Sequence, residues 1–360
     1  MPYVEGRAPW LSNLLCSLSS VVIQLSMYLA PSFSAPPMPH IELYDKTVLI
    51  TGANSGIGFA VARSLAGMGA RVVLLCRNEQ RGTEAKQKIV QETGNERVEV
   101  EIIDLENFGS VHAFVEKWKS KGDRNIDILV NNAGLTYARL TMTQDGHESA
   151  YQTNHLSHLL LTHSLLNSSC LSSTARIINI SAFGFFLSTP LDEYTSPARQ
   201  ILDNYKIGQE LPYEAMIQTY RGSKAAQAIW TMILQRKLGE TERWRNVVVH
   251  ACHPGMVKTS IWTQPLGIVS SSAPRAKSFI AIAERFGVET DKGATVPAWL
   301  AASPEAAKKD TGGMFWAPGI GSFWNMGWKW VPAWSLEWKR QEMLWDVWLR
   351  DAGKGAELML

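Results

Sequence analysis

Six short runs rich in β-branched residues lie along the chain, at 47–51, 71–75, 98–103, 126–130, 176–180 and 247–250, most of them largely apolar. Each is separated from the next by a longer stretch with helical spacing, near 57–67, 78–93, 108–120, 146–167 and 215–238. Strands that are apolar on both faces need helices on both sides of their sheet. Alternation of such strands with helices predicts an α/β chain built on a doubly wound parallel sheet. In these sheets a ligand sits beyond the carboxyl ends of the strands. The residues that follow each strand are therefore where chemistry is expected.

Composition removes several alternatives. Lys and Arg number 35 against 33 Asp and Glu, a net charge of +2, and no five like charges run together, so nucleic-acid binding is not expected. The four cysteines, Cys16, Cys76, Cys170 and Cys252, form no Cys-x-x-Cys pair. That speaks against a disulfide scaffold or zinc cluster and for a reducing compartment. His155 and His158 share a helix face but have no well-placed third ligand, and no metal is expected.

The first strand runs into Thr51-Gly52-Ala53-Asn54-Ser55-Gly56-Ile57-Gly58 and then into a helix. Glycines permit a tight turn and a close approach of backbone to a pyrophosphate, and the helix start offers free N–H groups. Four further stretches follow in order: Asn131-Asn132-Ala133-Gly134 after the fourth strand, Asn154-His155-Leu156 within the next helix, Tyr220-x-x-x-Lys224, and Pro254-Gly255 with Thr259 after the sixth strand. In these five motifs the sequence resembles the short-chain dehydrogenases/reductases, over about residues 44–318. The stretches Asn154-His155-Leu156-x-His158 and Leu75-Cys76-Arg77-Asn78 are most similar to the retinol-dehydrogenase-like branch, which includes many fungal reductases.

The resemblance implies a Rossmann fold that binds a nicotinamide dinucleotide. The glycine turn, with Asn54, Ser55 and Ile57, would hold the pyrophosphate. Asp104 and Leu105 would meet the adenine, and Asn131, Ala133 and Gly134 the adenosine ribose. Pro254, Gly255, Val257 and Thr259 would surround the nicotinamide. NAD-preferring members carry an acid at the end of the second strand, whereas this chain has Cys76 and Arg77. A guanidinium suits a 2′-phosphate, so NADP(H) is the expected cofactor.

Tyr220 and Lys224 are four residues apart and share a helix face. A nearby ammonium and a positive nicotinamide would favour the phenolate. By resemblance Tyr220 is the general acid/base, Lys224 lowers its pKa and binds the ribose, and Asn154 holds a water that relays protons. The family's catalytic serine is the second of an Asn-x-Ser-Ser strand end. Here it reads Asn179-Ile180-Ser181-Ala182, so that hydroxyl is missing unless Ser181, or Ser188 or Thr189 from the next loop, replaces it. The expected function is carbonyl–alcohol interconversion on a lipophilic small molecule. A redox-neutral isomerase or dehydratase, or a non-catalytic NADP-binding protein, stays open beside it.

The stretch 184–212 and a second one at 261–286 would cover the substrate, with Phe183, Phe185, Phe186, Trp262 and Leu266 making that cover apolar. Eight of the 14 tryptophans fall between Trp316 and Trp348. They read as packing of a C-terminal helix, as a membrane-interface belt, or as a pocket wall or dimer interface. Residues 11–30 read either as a helix that binds a membrane or as a mobile extension, and 31–39 is a proline-rich linker. The chain thus divides into an N-terminal extension (1–43), an NADP-binding domain (44–318) and a Trp-rich segment (319–360). A cytoplasmic location is expected, with contact to the endoplasmic reticulum or another lipid surface if 11–30 binds lipid. A homo-oligomer remains open.

Overall fold

Thr47–Thr51 (β1) pairs in parallel with Arg71–Cys76 (β2) on one side and Ile126–Asn131 (β4) on the other. The computed structural model describes residues 41–359 apart from 123–124, 193–196, 262–266, 318–325 and 329–330, together with 17, 18, 21 and 38. The segment 11–30 therefore lies almost wholly outside the described residues, as do Trp262, Leu266, Trp324 and Trp330. Among the described residues, no helix is long and apolar enough to cross a membrane.

The remaining strands are Val98–Ile102 (β3), Leu171–Ile180 (β5), Val248–Cys252 (β6), Phe315–Ala317 (β7) and Met326–Trp328 (β8). They form one eight-stranded sheet in the order β3-β2-β1-β4-β5-β6-β7-β8. Every neighbouring pair is parallel except β7 with β8. The strand order reverses between β1 and β4, which opens a crevice at their carboxyl ends.

Successive strand side chains point to opposite faces. Val48, Ile50, Val72 and Leu74 pack against Gly56–Gly67 (α1) and Glu79–Thr93 (α2). Leu49, Val73 and Leu75 face Phe108–Lys119 (α3) and the helix that follows β4. That helix is not continuous, as its periodicity suggests. A turn at Ser149–Tyr151 leads into a π-helical turn at Gln152–Leu156, then into Ser157–Asn167; together they form α4. Such turns carry an i→i+5 bond that apolar spacing does not reveal. Pro197–Asn204 (α5) and the 27-residue Tyr213–Gly239 (α6) follow, then Pro274–Phe286 (α7), Thr290–Gly293 (α8) and Thr295–Ala302 (α9).

The last helix, Trp338–Ala352 (α10), packs on α6 and α4 as part of the main core. Leu344, Trp345, Val347 and Trp348 are buried there. The Trp348 indole stands edge-on to His155, 4.5 Å between ring centres. His163 accepts from Trp230 Nε1 (3.2 Å) and bonds the Ala356 carbonyl (2.6 Å), which fastens the chain end. Core packing is thus the role of Trp345 and Trp348, while Trp338 lies outside, under the Arg236 guanidinium at 4.0 Å. Truncating a buried aromatic costs about 3–5 kcal/mol. Trp348→Ala should lower the urea midpoint by that amount. A loss below about 1 kcal/mol would show that α10 is not part of the cooperative core.

Candidate active site

A cleft of about 980 Å3 lies over the carboxyl ends of β1, β4, β5 and β6. At one end, Gly52, Asn54, Ser55, Gly56 and Ile57 form the turn between β1 and α1. Gly52 has φ +64°, a region that disfavours side chains, and a Cβ on Gly58 would lie 2.3 Å from Asn132 Nδ2 and 2.5 Å from the Gly52 carbonyl. The first turn of α1 carries no acid, and Ser55 makes no side-chain cap. Its N–H groups therefore stay available to an anion, which suits a pyrophosphate.

The same end holds Arg77, Arg81, Asp104, Leu105, Glu106 and Tyr137. Arg77 is ion-paired with Glu106, and the Tyr137 hydroxyl donates to Glu106 at 3.3 Å. Arg81, one helical turn beyond Arg77, adds a second positive group. Neither Glu106 nor Arg81 stands in a recognisable motif, which is why motif reading passes over them.

Ala133, Gly134, Pro254, Gly255, Val257 and Thr259 line the middle of the cleft with Tyr220 and Lys224. Three motif residues stand behind the wall instead. Gly58 packs under the turn. Asn131 is fully buried, and its Nδ2 donates to Thr162 Oγ1 (3.1 Å) and Asn179 Oδ1 (2.8 Å), while Asn132 lines the cleft in its place. Asn154 sits in the π turn. Its Oδ1 accepts from the Leu135 N–H (2.8 Å), and its Nδ2 donates to the Leu135 carbonyl (3.0 Å) and Ser223 Oγ (2.9 Å). Any water relay would have to use its backbone.

Ser181 and Ala182 both line the cleft, but the Ser181 hydroxyl donates to the Lys224 carbonyl at 2.7 Å. Ser188 lies off the cleft wall and donates to the Thr189 carbonyl at 2.9 Å. The cover also differs from expectation in part. Phe183, Gly184 and Leu187 face the cleft, whereas Phe185 is buried in the core against Phe315 and Trp334. Tyr213, Ile217, Met256, Ile261, Phe279 and Ile282 complete an apolar half. Tyr213 and Ile217 come from α6 and Phe279 and Ile282 from α7, whose turn-by-turn spacing is a signal that sequence reading could have used.

The model of the short chain dehydrogenase family matches residues 46–191. Retinol dehydrogenase 12 of Bos taurus is 35% identical over 221 residues, 61% of this chain and 64% of that protein. The chain spans just under two thirds of the length of the curated relatives it matches. Among solved structures, an uncharacterized protein from Mycobacterium Paratuberculosis aligns with 91% of this chain and 100% of its own, with a TM-score of 0.64 and 25% identity. Over these residues the chain is similar to the short-chain dehydrogenases/reductases, and among them to proteins named retinol dehydrogenase.

Burial dominates the electrostatics at the centre of the cleft. Burial raises the Tyr220 pKa above the ordinary tyrosine value, and it lowers that of Lys224 to about 7. Loss of hydration is the main cause for both groups. Lys224 Nζ donates to the Ile180 carbonyl (2.7 Å) and Gln227 Oε1 (3.2 Å). The ordinary lysine pKa is 10.5. Between 10.5 and about 7 the unfolded chain holds a proton that the folded chain releases, so this group's contribution to stability falls as pH drops through that window and is level below it. Lys224→Met removes the slope. Its unfolding midpoint relative to wild type should be highest near pH 7 and decline toward pH 10. A difference that does not vary with pH would refute the buried placement of the ammonium.

Proposed function

We propose that this chain is an NADP(H)-dependent oxidoreductase that interconverts a carbonyl and an alcohol on a lipophilic small molecule. The observation that carries the reading is a single cleft. It is lined at one end by the glycine turn and two arginines, at its centre by Tyr220 and Lys224, and at the other end by apolar side chains. A cleft of this size is at the upper end for small-molecule sites. The retinol dehydrogenase names of its relatives support a lipophilic substrate.

When bound, the dinucleotide supplies or accepts the hydride. The protein's part is to orient both reactants and move one proton. In reduction, the Tyr220 hydroxyl gives its proton to the carbonyl oxygen. Burial favours the protonated form, which suits donation. In oxidation the phenolate takes the proton back, with the Lys224 ammonium as the nearby positive charge. Ala182 offers no hydroxyl to the substrate oxygen, and the Ser181 proton is held by the Lys224 carbonyl. That missing donor is the observation that favours the second reading, a redox-neutral or non-catalytic protein on the same fold.

General acid–base catalysis contributes about 10²- to 10⁴-fold. Tyr220→Phe should therefore lower kcat/KM for NADPH-dependent reduction of lipophilic ketones and aldehydes by about that factor while NADPH still binds. Retained turnover would exclude Tyr220 as proton donor. In wild type, NADPH binding without turnover of any carbonyl would favour the second reading. Ala182→Ser should raise kcat about tenfold or more, because one donor to a developing oxyanion is worth up to about 10²–10³. Arg77→Asp removes a charged partner and places an acid beside Glu106. The NADPH-over-NADH ratio of kcat/KM should fall at least about tenfold, and an unchanged ratio would remove Arg77 from cofactor selection.

A further inference from the structure

Helix α6 turns two adjacent ridges toward the cleft. Tyr220 and Lys224 lie on one, and Tyr213, Ile217 and Arg221 lie on the other at i, i+4 and i+8. The second ridge faces the apolar half, with Phe183, Leu187 and Phe279 as neighbours in the wall. Arg221 is the basic side chain of that half, while Arg77 and Arg81 lie at the adenosine end.

The guanidinium of Arg221 is partly buried and, among the described residues, has no hydrogen-bond or ion-pair partner. Burial moves its pKa below the ordinary arginine value, with Tyr213 as the one group that opposes the shift. The nearest acid on its own helix, Glu214, is paired with Arg275 instead. Gly184 makes room for the side chain: a Cβ there would lie 2.8 Å from Arg221 Cγ. An arginine cannot shed its charge in this setting. A desolvated guanidinium without a counter-ion is therefore a strong and selective receptor for a planar anion.

We propose that Arg221 recognises an acidic group on the substrate, so that the lipophilic carbonyl compound or alcohol reduced or oxidised beside Tyr220 also carries a carboxylate. This inference rests on the oxidoreductase reading for its substrate but on Arg221 alone for its anion. The apolar wall holds the hydrocarbon body, the guanidinium holds the carboxylate through two parallel hydrogen bonds, and the reacting carbon is brought to the neighbouring ridge. An uncharged substrate would leave the Arg221 charge dehydrated and unpaired. The site therefore selects against esters and alcohols of the same shape.

The test uses oxo-carboxylic acids of eight to fourteen carbons and their methyl esters. Binding is measured by calorimetry on the full chain loaded with NADP+, where no turnover occurs, and turnover is measured separately with NADPH. Wild type should bind at least one acid about 10- to 100-fold more tightly than its ester. The ratio should approach one in Arg221→Met, recover in part in Arg221→Lys, and fall in Gly184→Ala, which displaces the side chain. Equal affinity for acid and ester, a preference that survives in Arg221→Met, or no binding of any acid would overturn the proposal. So would a loss of NADP+ affinity in Arg221→Met as large as the loss of acid affinity, because Arg221 would then serve the cofactor. Selective acid binding without turnover would leave the Arg221 assignment standing and count against the oxidoreductase reading alone.

Discussion

One threonine hydroxyl holds the functional edge of this sheet together. Thr51 ends β1, and its Oγ1 accepts from the backbone N–H groups of Asn132 (2.9 Å) and Ala133 (3.0 Å) at the end of β4. Its own proton is left for His158 Nε2 at 2.9 Å. That assignment places the histidine proton on Nδ1, which then donates to the Asn154 carbonyl at 3.2 Å inside the π turn. Burial lowers the His158 pKa to about 3, so the ring stays neutral and the network keeps one direction. Asn132 Nδ2 completes the knot by donating to the Thr51 carbonyl at 2.8 Å. The glycine turn, the β4 end and α4 are thereby held in one geometry, and the cleft is built on it.

Behind the cleft a second buried network supports Lys224. Asn131 Nδ2 donates to Asn179 Oδ1, Asn179 Nδ2 donates to Thr231 Oγ1 at 2.8 Å, and Thr231 Oγ1 donates to the Gln227 carbonyl at 2.9 Å. Gln227 in turn accepts from Lys224 Nζ. Connected polar chains of this kind fix a geometry, because each bond would be costly to lose, and only Asn131 Oδ1 among their side-chain atoms lacks a partner among the described residues. Buried polarity thus fixes the Lys224 ammonium at the cleft wall. The cost is a lysine whose charged form is disfavoured by its surroundings, an arrangement typical of working sites rather than of stable cores.

The apolar half of the cleft has a packing origin of its own. Ile201 and Leu211 of the stretch after β5 join Met216 and Ile217 of α6 and Ile268 and Ala276 near α7 in a small cluster apart from the two main cores. Arg199 on α5 is ion-paired with Asp351 on α10 at 2.8 Å, and Tyr151 donates to the same carboxylate at 3.0 Å. The C-terminal helix therefore braces both the π-turn helix and the segment beside the apolar half of the cleft. The tryptophans at its inner face, Trp345 and Trp348, supply that brace by burial.

The first six strands, their parallel pairing and the glycine turn were legible in the chain because they depend on local periodicity and on short spacings, whereas the short β7 and β8 were not. Tyr220, Lys224 and the Ser181-Ala182 departure were legible for the same reason: neighbours on one helix, or at one strand end, must be neighbours in space. What separates Asn132 in the cleft from Asn131 behind it is strand alternation at a strand end, which the Asn-Asn pair alone does not orient. The pairing of Arg77 with Glu106, the inward turn of Phe185, the joining of α10 to the core and the solitary Arg221 beside Gly184 all depend on residues far apart in the chain. Sequence determined which groups could do the chemistry. Only the tertiary structure decided which were desolvated and which were already paired, because burial and partnership are properties of three-dimensional neighbours.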